Sequence, residues 1–212
     1  MPLEIYTIGH STQPVDQFIR SLKRNGVTAI ADVRSSPYSR HNPQFCKEDL
    51  RSALKSEDIR YVFLGNELGA RSDDECCYVD DKVQYGRLAQ SEGFRSGIQR
   101  VIEGSQTHQI ALMCAEKDPL DCHRTILVAR VLVALGCRVK HILINGSVET
   151  HEAAMERLVK RLGLDEADMF RSHDLVVEEA YERQGDLIAY DRSAHRAALS
   201  SGNTQSMHEG GR

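Results

Sequence analysis

The sequence predicts an α/β domain: a mainly parallel, Rossmann-like sheet with helices on both faces, followed by a helical extension. Three observations predict it. Apolar runs of strand length alternate with helix-length amphipathic stretches through most of the chain. Those short runs lack polar alternation, as in strands covered on both sides. Each then ends in polar or glycine-rich sequence: Gly9-His10-Ser11, Asp32-Val33-Arg34, Gly65-Asn66-Glu67, Cys114-Ala115-Glu116 and Asn145-Gly146-Ser147.

Leu3 to Ile8 is the first strand. Thr12 or Gln13 then caps a helix with Pro14 in its first turn. Its buried face is Val15, Phe18, Ile19 and Leu22, and Gly26 closes it. Val27 to Val33 is the second strand. The loop that follows carries Tyr38, Arg40 and His41, a basic and aromatic set that suits a phosphate or a base, or is simply solvated. A short helix over Lys47 to Lys55 precedes the third strand, Arg60 to Leu64. Ser72 to Asp81 is polar and irregular, with the Cys76-Cys77 pair. Helices over Val83 to Gln90 and Phe94 to Glu103 lead to the fourth strand, Ile110 to Met113.

Asp118-Pro119 is a helix-start signal, because the carboxylate accepts orphan amides and proline has none to leave unpaired. An apolar helical run then reaches Leu135, with Cys122, His123 and Arg124 in or just past its first turn, where the dipole favours an anion. Val139 to Ile144 is the fifth strand and Thr150 to Leu162 the next helix. The α/β domain is expected over 1–164, with a helical extension over 165–192 that includes a helix at Leu175 to Arg183. A disordered tail is expected over 193–212, where the composition has little to bury.

At 212 residues the chain is long enough for one domain with a large core. A net charge of -4 argues against a strongly basic nucleic-acid binder, while leaving room for a local basic patch. No apolar run reaches the roughly 20 residues of a membrane span, and the N-terminal stretch has no signal-peptide pattern. Six cysteines in such a chain read as reduced thiols in the cytoplasm rather than a disulfide framework.

In open parallel sheets ligands bind beyond the carboxyl ends of the strands, so the five polar ends are expected to share one crevice. Asp32 and Glu116 are the acid/base candidates, since a partly desolvated carboxylate there is tunable toward neutral pH. Ion pairs with Arg34 and Arg124 are the alternative for both. Glu67 is a third carboxylate of the same kind. Arg34 and Arg124 are candidate ligands for a phosphate or carboxylate. Cys114 is a candidate nucleophile if a nearby cation stabilises its thiolate, and otherwise a small buried hydrophobe. His123 is, with Cys114, a candidate catalytic residue as a reactive or positioning group. Cys114, Cys122 and His123 are also candidate metal or haem ligands, although the chain has no CxxC or HxxxH pair. A packed Cys122 with His123 capping or bonding backbone is the alternative. His10 suits substrate orientation or proton relay, and Ser11 suits substrate contact or capping.

Four motifs occur in order: TIGHS near the N-terminus, DVR followed by Ser35, Pro37 and Ser39, LGxELG from Leu64 to Gly69, and CAExxPxxCHR from Cys114 to Arg124. Together they resemble the domain of unknown function 488 family, roughly over residues 3 to 145. The resemblance implies an α/β fold and a shared polar pocket, and names no reaction. Ala70 stands where relatives often show a second glycine.

The leading expectation is a cytoplasmic hydrolase or group transferase acting on a small anionic, nucleotide-like substrate. The absence of GxGxxG after the first strand counts against a dinucleotide cofactor, and no other cofactor is identified. The alternatives are a non-catalytic nucleic-acid-binding or regulatory module, and a metal- or haem-binding protein. No membrane partner is expected.

Overall fold

The structure, a computed structural model, describes residues 2–164, 171–194 and 196. Strands β1 (Glu4–Gly9), β2 (Ala29–Asp32) and β3 (Arg60–Phe63) alternate with helices α1 (Val15–Arg24) and α2 (Lys47–Lys55). A short α3 (Gly65–Leu68) and a hairpin of β4 (Tyr78–Val79) and β5 (Lys82–Val83) come next, then α4 (Tyr85–Leu88) and α5 (Glu92–Ser105). Strand β6 (Ile110–Cys114) leads to a helical segment ending in α6 (Arg130–Ala134), and β7 (Arg138–Ile142) to β8 (Val148–Thr150) and α7 (His151–Arg161). Helix α8 (His173–Ile188) is the extension.

The main sheet has the order β3-β2-β6-β1-β7-β8, with β8 antiparallel to β7 and every other pair parallel. The two central strands are buried along almost their whole length, which is why their sequences read as continuous apolar runs. Phe18 and Leu22 of α1 and Leu50 and Leu54 of α2 cover one face, packing on Tyr6, Ile8, Ile30 and Met113. Helices α5, α6, α7 and α8 cover the other. The hydroxyls of Ser91, Thr150 and Ser172 cap α5, α7 and α8 by accepting from backbone amides.

Four local expectations are corrected. The helix expected over Val83 to Gln90 is only α4, because residues 78–83 form a hairpin. Asp80 and Asp81 both take positive φ, 48° and 65°, as a two-residue primed turn requires. Asn145-Gly146-Ser147 follows the carboxyl end of β7, as expected, but makes a hairpin turn into β8 and does not line the strand-end cavity. Asp118 and Pro119 start a single 3-10 turn, Pro119–Asp121, and not the long helix. Cys122 returns to extended backbone (φ -139°, ψ 137°), burying its side chain, and the helix begins at His123. From Arg124 to Ala129 that helix has π geometry, a rare form that recurs at functional sites. Helix α8 is also longer than the expected Leu175 to Arg183.

The tail expected from Ser193 falls almost wholly outside the described residues. No helix among the described residues is long and apolar enough to cross a membrane.

Candidate functional site

β1 and β6 lie side by side, with Gly9 level with Cys114. The chain leaves β1 for a helix on one face and leaves β6 for a helix on the other. This divergence opens a crevice at the strand ends, as expected at a topological switch point. A cavity of about 620 Å³ occupies it. The ends of β1 and β6 form its floor, the loop from Ser35 to Asn42 one rim, and Ile188 and Tyr190 of the C-terminal segment another.

Arg34 reaches this cavity from a buried network. Asp32 is fully buried; its Oδ1 accepts from the Arg34 backbone amide and Nε, and its Oδ2 from Arg34 Nη2 at 2.6 Å and the Tyr61 hydroxyl at 2.6 Å. Burial opposes the Arg34 charge, and Asp32 outweighs it, so the guanidinium pKa is raised. Arg34 Nη1 lies 3.2 Å from His10 Nε2, and His10 Nδ1 lies 2.8 Å from the Ser11 carbonyl oxygen. A carbonyl only accepts, so Nδ1 carries the proton and Nε2 accepts from Arg34. Burial, with the Arg34 charge adding to it, lowers the His10 pKa to about 4 and keeps the ring neutral. The ring stacks on Phe45 at 4.3 Å.

The second group lies at the end of β6. His123 Nε2 is 2.9 Å from the Val33 carbonyl oxygen and therefore carries a proton. Its Nδ1 faces two sulfurs, Cys114 Sγ at 3.7 Å and Cys122 Sγ at 3.9 Å. Cys122 Sγ also contacts Glu116 Oε2 at 2.9 Å, and the Arg124 amide donates to it at 3.4 Å. Burial pushes the Cys114 thiol well up. Cys122 is held well down: burial opposes ionisation, but the Cys114 contact, the Arg124 charge and His123 outweigh it. His123 is raised in turn, the Cys122 sulfur overcoming burial. Glu116 stands at the open side, its carboxyl raised first by the desolvating wall and then by the Cys122 sulfur. Among the described residues, Cys114, Cys122 and His123 are the group whose donor atoms converge as metal ligands would, all within 4.8 Å.

Of the residues singled out in the sequence, His10, Ser11, Arg34, Cys114, Glu116, Cys122 and His123 line this one cavity. Asp32 does not; it sits beneath the wall and orients Arg34. Arg124 is not on the wall either. It is 1% exposed, and its guanidinium donates to the backbone carbonyls of Glu116 (2.8 Å) and Lys117 (3.4 Å). Its role is to hold the segment that carries Glu116. Gly9 lets that segment approach, since a Cβ there would lie 1.9 Å from the Glu116 carbonyl oxygen. Glu67 lines a different cavity and pairs with Arg100.

Sequence reasoning missed Tyr61, whose hydroxyl fixes Asp32, because a tyrosine in an edge strand reads as packing. It also missed Arg71, Lys117, Tyr85 and Tyr190 on the cavity wall. Arg71 directly follows the Leu64 to Gly69 motif and Ala70, which was a usable signal. In the fold its guanidinium lies 4.3 Å over the Tyr190 ring.

A family model described as "Domain of unknown function DUF488" matches residues 14–131. No curated protein and no solved structure matches the chain.

Proposed function

The chain belongs to the domain of unknown function DUF488 family, and from that premise we propose that it is a cytoplasmic enzyme, a hydrolase or group transferase. Its substrate in this reading is a small anion bound in the strand-end cavity. One observation carries the reading: a preoriented guanidinium, Arg34, shares a single cavity wall with the Cys114, Cys122, His123 and Glu116 donors. Asp32 holds Arg34 by two parallel hydrogen bonds, so an arriving phosphate or carboxylate meets a cation of fixed orientation. Lys117 and Arg71 add positive charge on the same wall. Glu116 is the proton-transfer group, because its raised carboxyl stands at the open side beside the reactive sulfurs. Tyr38, 65% exposed on the rim, offers a ring face to a nucleobase, which makes a nucleotide-like anion the favoured class.

The test is equilibrium binding of inorganic phosphate and of nucleoside monophosphates to the purified protein and to Arg34→Lys. That variant keeps the charge and loses the bidentate fork. Saturable binding weakened at least tenfold in the variant is the expected result. Equal binding by both proteins overturns the reading. Binding of polynucleotide with a steep salt dependence and no turnover would favour the nucleic-acid module instead.

A further inference from the structure

We propose that Cys114, Cys122 and His123 form a three-ligand site for a zinc-class divalent cation, with the fourth coordination position open to the strand-end cavity. Metal binding here is independent of whether the protein turns over an anion.

The distances fit coordination better than they fit hydrogen bonding. Nδ1 to the two sulfurs measures 3.7 and 3.9 Å. A tetrahedral ion with metal–sulfur bonds of about 2.3 Å and metal–nitrogen bonds of about 2.0 Å separates its sulfur and nitrogen ligands by about 3.5 Å. All three donor atoms lie within 4.8 Å of one another, so one ion reaches them with small adjustments.

The imidazole is already oriented for the role. Val33 takes the Nε2 proton at 2.9 Å, which points the Nδ1 side at the sulfurs. A backbone carbonyl fixing the second nitrogen is the usual support of a metal-bound histidine. The Arg124 amide gives Cys122 Sγ a comparable support.

The irregular backbone explains how two consecutive residues serve one ion. On a regular helix neighbouring side chains point about 100° apart. Here Cys122 is extended, and His123 starts the helix that follows. The break turns both side chains toward the end of β6, where Cys114 waits. This accounts for the interruption that the Asp118-Pro119 signal did not foreshadow.

The three side chains are at least nine-tenths buried, at 3%, 1% and 6% exposure, yet all line the cavity. Burial excludes competing ligands on the protein side, while the cavity leaves one approach open. Three protein ligands with an open position is the arrangement of catalytic rather than structural zinc. Glu116 Oε2, 2.9 Å from Cys122 Sγ, is closer than a fourth tetrahedral ligand would stand. It is placed instead beside whatever occupies the open position. Two thiolates and an imidazole select zinc-class ions over magnesium or calcium.

The test loads reduced, chelator-treated full-length protein with Zn2+ or Co2+ alone. One equivalent per chain is expected by elemental analysis after gel filtration. The Co2+ form is expected to show thiolate charge-transfer absorption of the strength given by two sulfurs. Cys114→Ser, Cys122→Ser and His123→Gln should each lose stoichiometric binding, while Cys46→Ser and Cys76→Ser keep it. Wild-type protein that takes up no equivalent, or shows no such absorption, overturns the site, and this readout needs no variant to fold. Unchanged stoichiometry in all three ligand variants, or loss with Cys76→Ser, overturns it as well. A protein that binds metal but no anion refutes only the proposed function, and the reverse result refutes only the metal site.

Discussion

His141 Nε2 lies 3.1 Å from His151 Nδ1 in a chain of hydrogen bonds that runs from β1 to α8. Thr7 Oγ1 contacts His141 Nδ1 at 2.8 Å, and His151 Nε2 contacts the Tyr181 hydroxyl at 2.5 Å. With neutral rings, one proton per link satisfies every nitrogen in either direction. Both pKa values are lowered, chiefly by burial: His141 well below its ordinary value and His151 to about 4.

Acid should therefore weaken the fold. The unfolded histidines take up protons near pH 6.5, whereas folded His151 resists until about pH 4 and folded His141 resists well below its ordinary range, so stability is full above pH 6.5 and falls as the pH drops below it. For His151, whose pKa drops from 6.5 to about 4, the loss is on the order of 3 kcal/mol. Urea melts from pH 7.5 to 4.5 check this. His151→Gln should flatten the slope, and a pH-independent midpoint would contradict the account.

Asp32 and Tyr61 should be unequal in cost. Tyr61→Phe removes one hydrogen bond to a carboxylate that keeps three others and should cost about 1–3 kcal/mol. Asp32→Ala strands a buried guanidinium and should cost about 3–5 kcal/mol. Denaturant unfolding of both variants gives the comparison.

Gly9→Ala should damage the site through the backbone. The new methyl would meet the Glu116 carbonyl oxygen at 1.9 Å, so residues 115–117 must move and the Arg124 hydrogen bonds with them. A loss of about 1–3 kcal/mol is expected, together with weakened anion binding. Calorimetry and the phosphate titration measure the two effects separately.

Glu116→Gln should leave the fold nearly unchanged, because glutamine keeps the shape and an acceptor oxygen for the Cys122 sulfur. Turnover should fall by about 100-fold or more if Glu116 transfers a proton. Its raised pKa keeps it protonated to higher pH than a free glutamate, so a base role gives activity that rises through that raised value. The variant should lose that limb of the pH–rate profile.

The sheet and the polar crevice at its strand ends were legible from the sequence because periodicity and polar strand ends report local burial. Tertiary choices were not. Arg124 near a helix start reads the same whether its guanidinium meets a substrate or backbone carbonyls, and only the close approach at Gly9 decides. Asp32 and Arg34, two apart on an extended segment, share a side, so their pairing was a visible alternative to catalysis. The β4–β5 hairpin was hidden because its turn uses two aspartates in place of the commoner glycine pair.

The C-terminal segment shapes the mouth of the cavity. Gln184 on α8 donates to the Leu120 carbonyl just ahead of Cys122, and Ile188 and Tyr190 lie on the cavity rim. Gln184, Ile188 and Tyr190 lie beyond the residues that match the family. Proteins sharing the matched portion but carrying a different ending would keep the β6 end of the cavity floor under a differently shaped mouth. Changing the ending alone would thus reshape the opening while leaving the donors at the end of β6 in place.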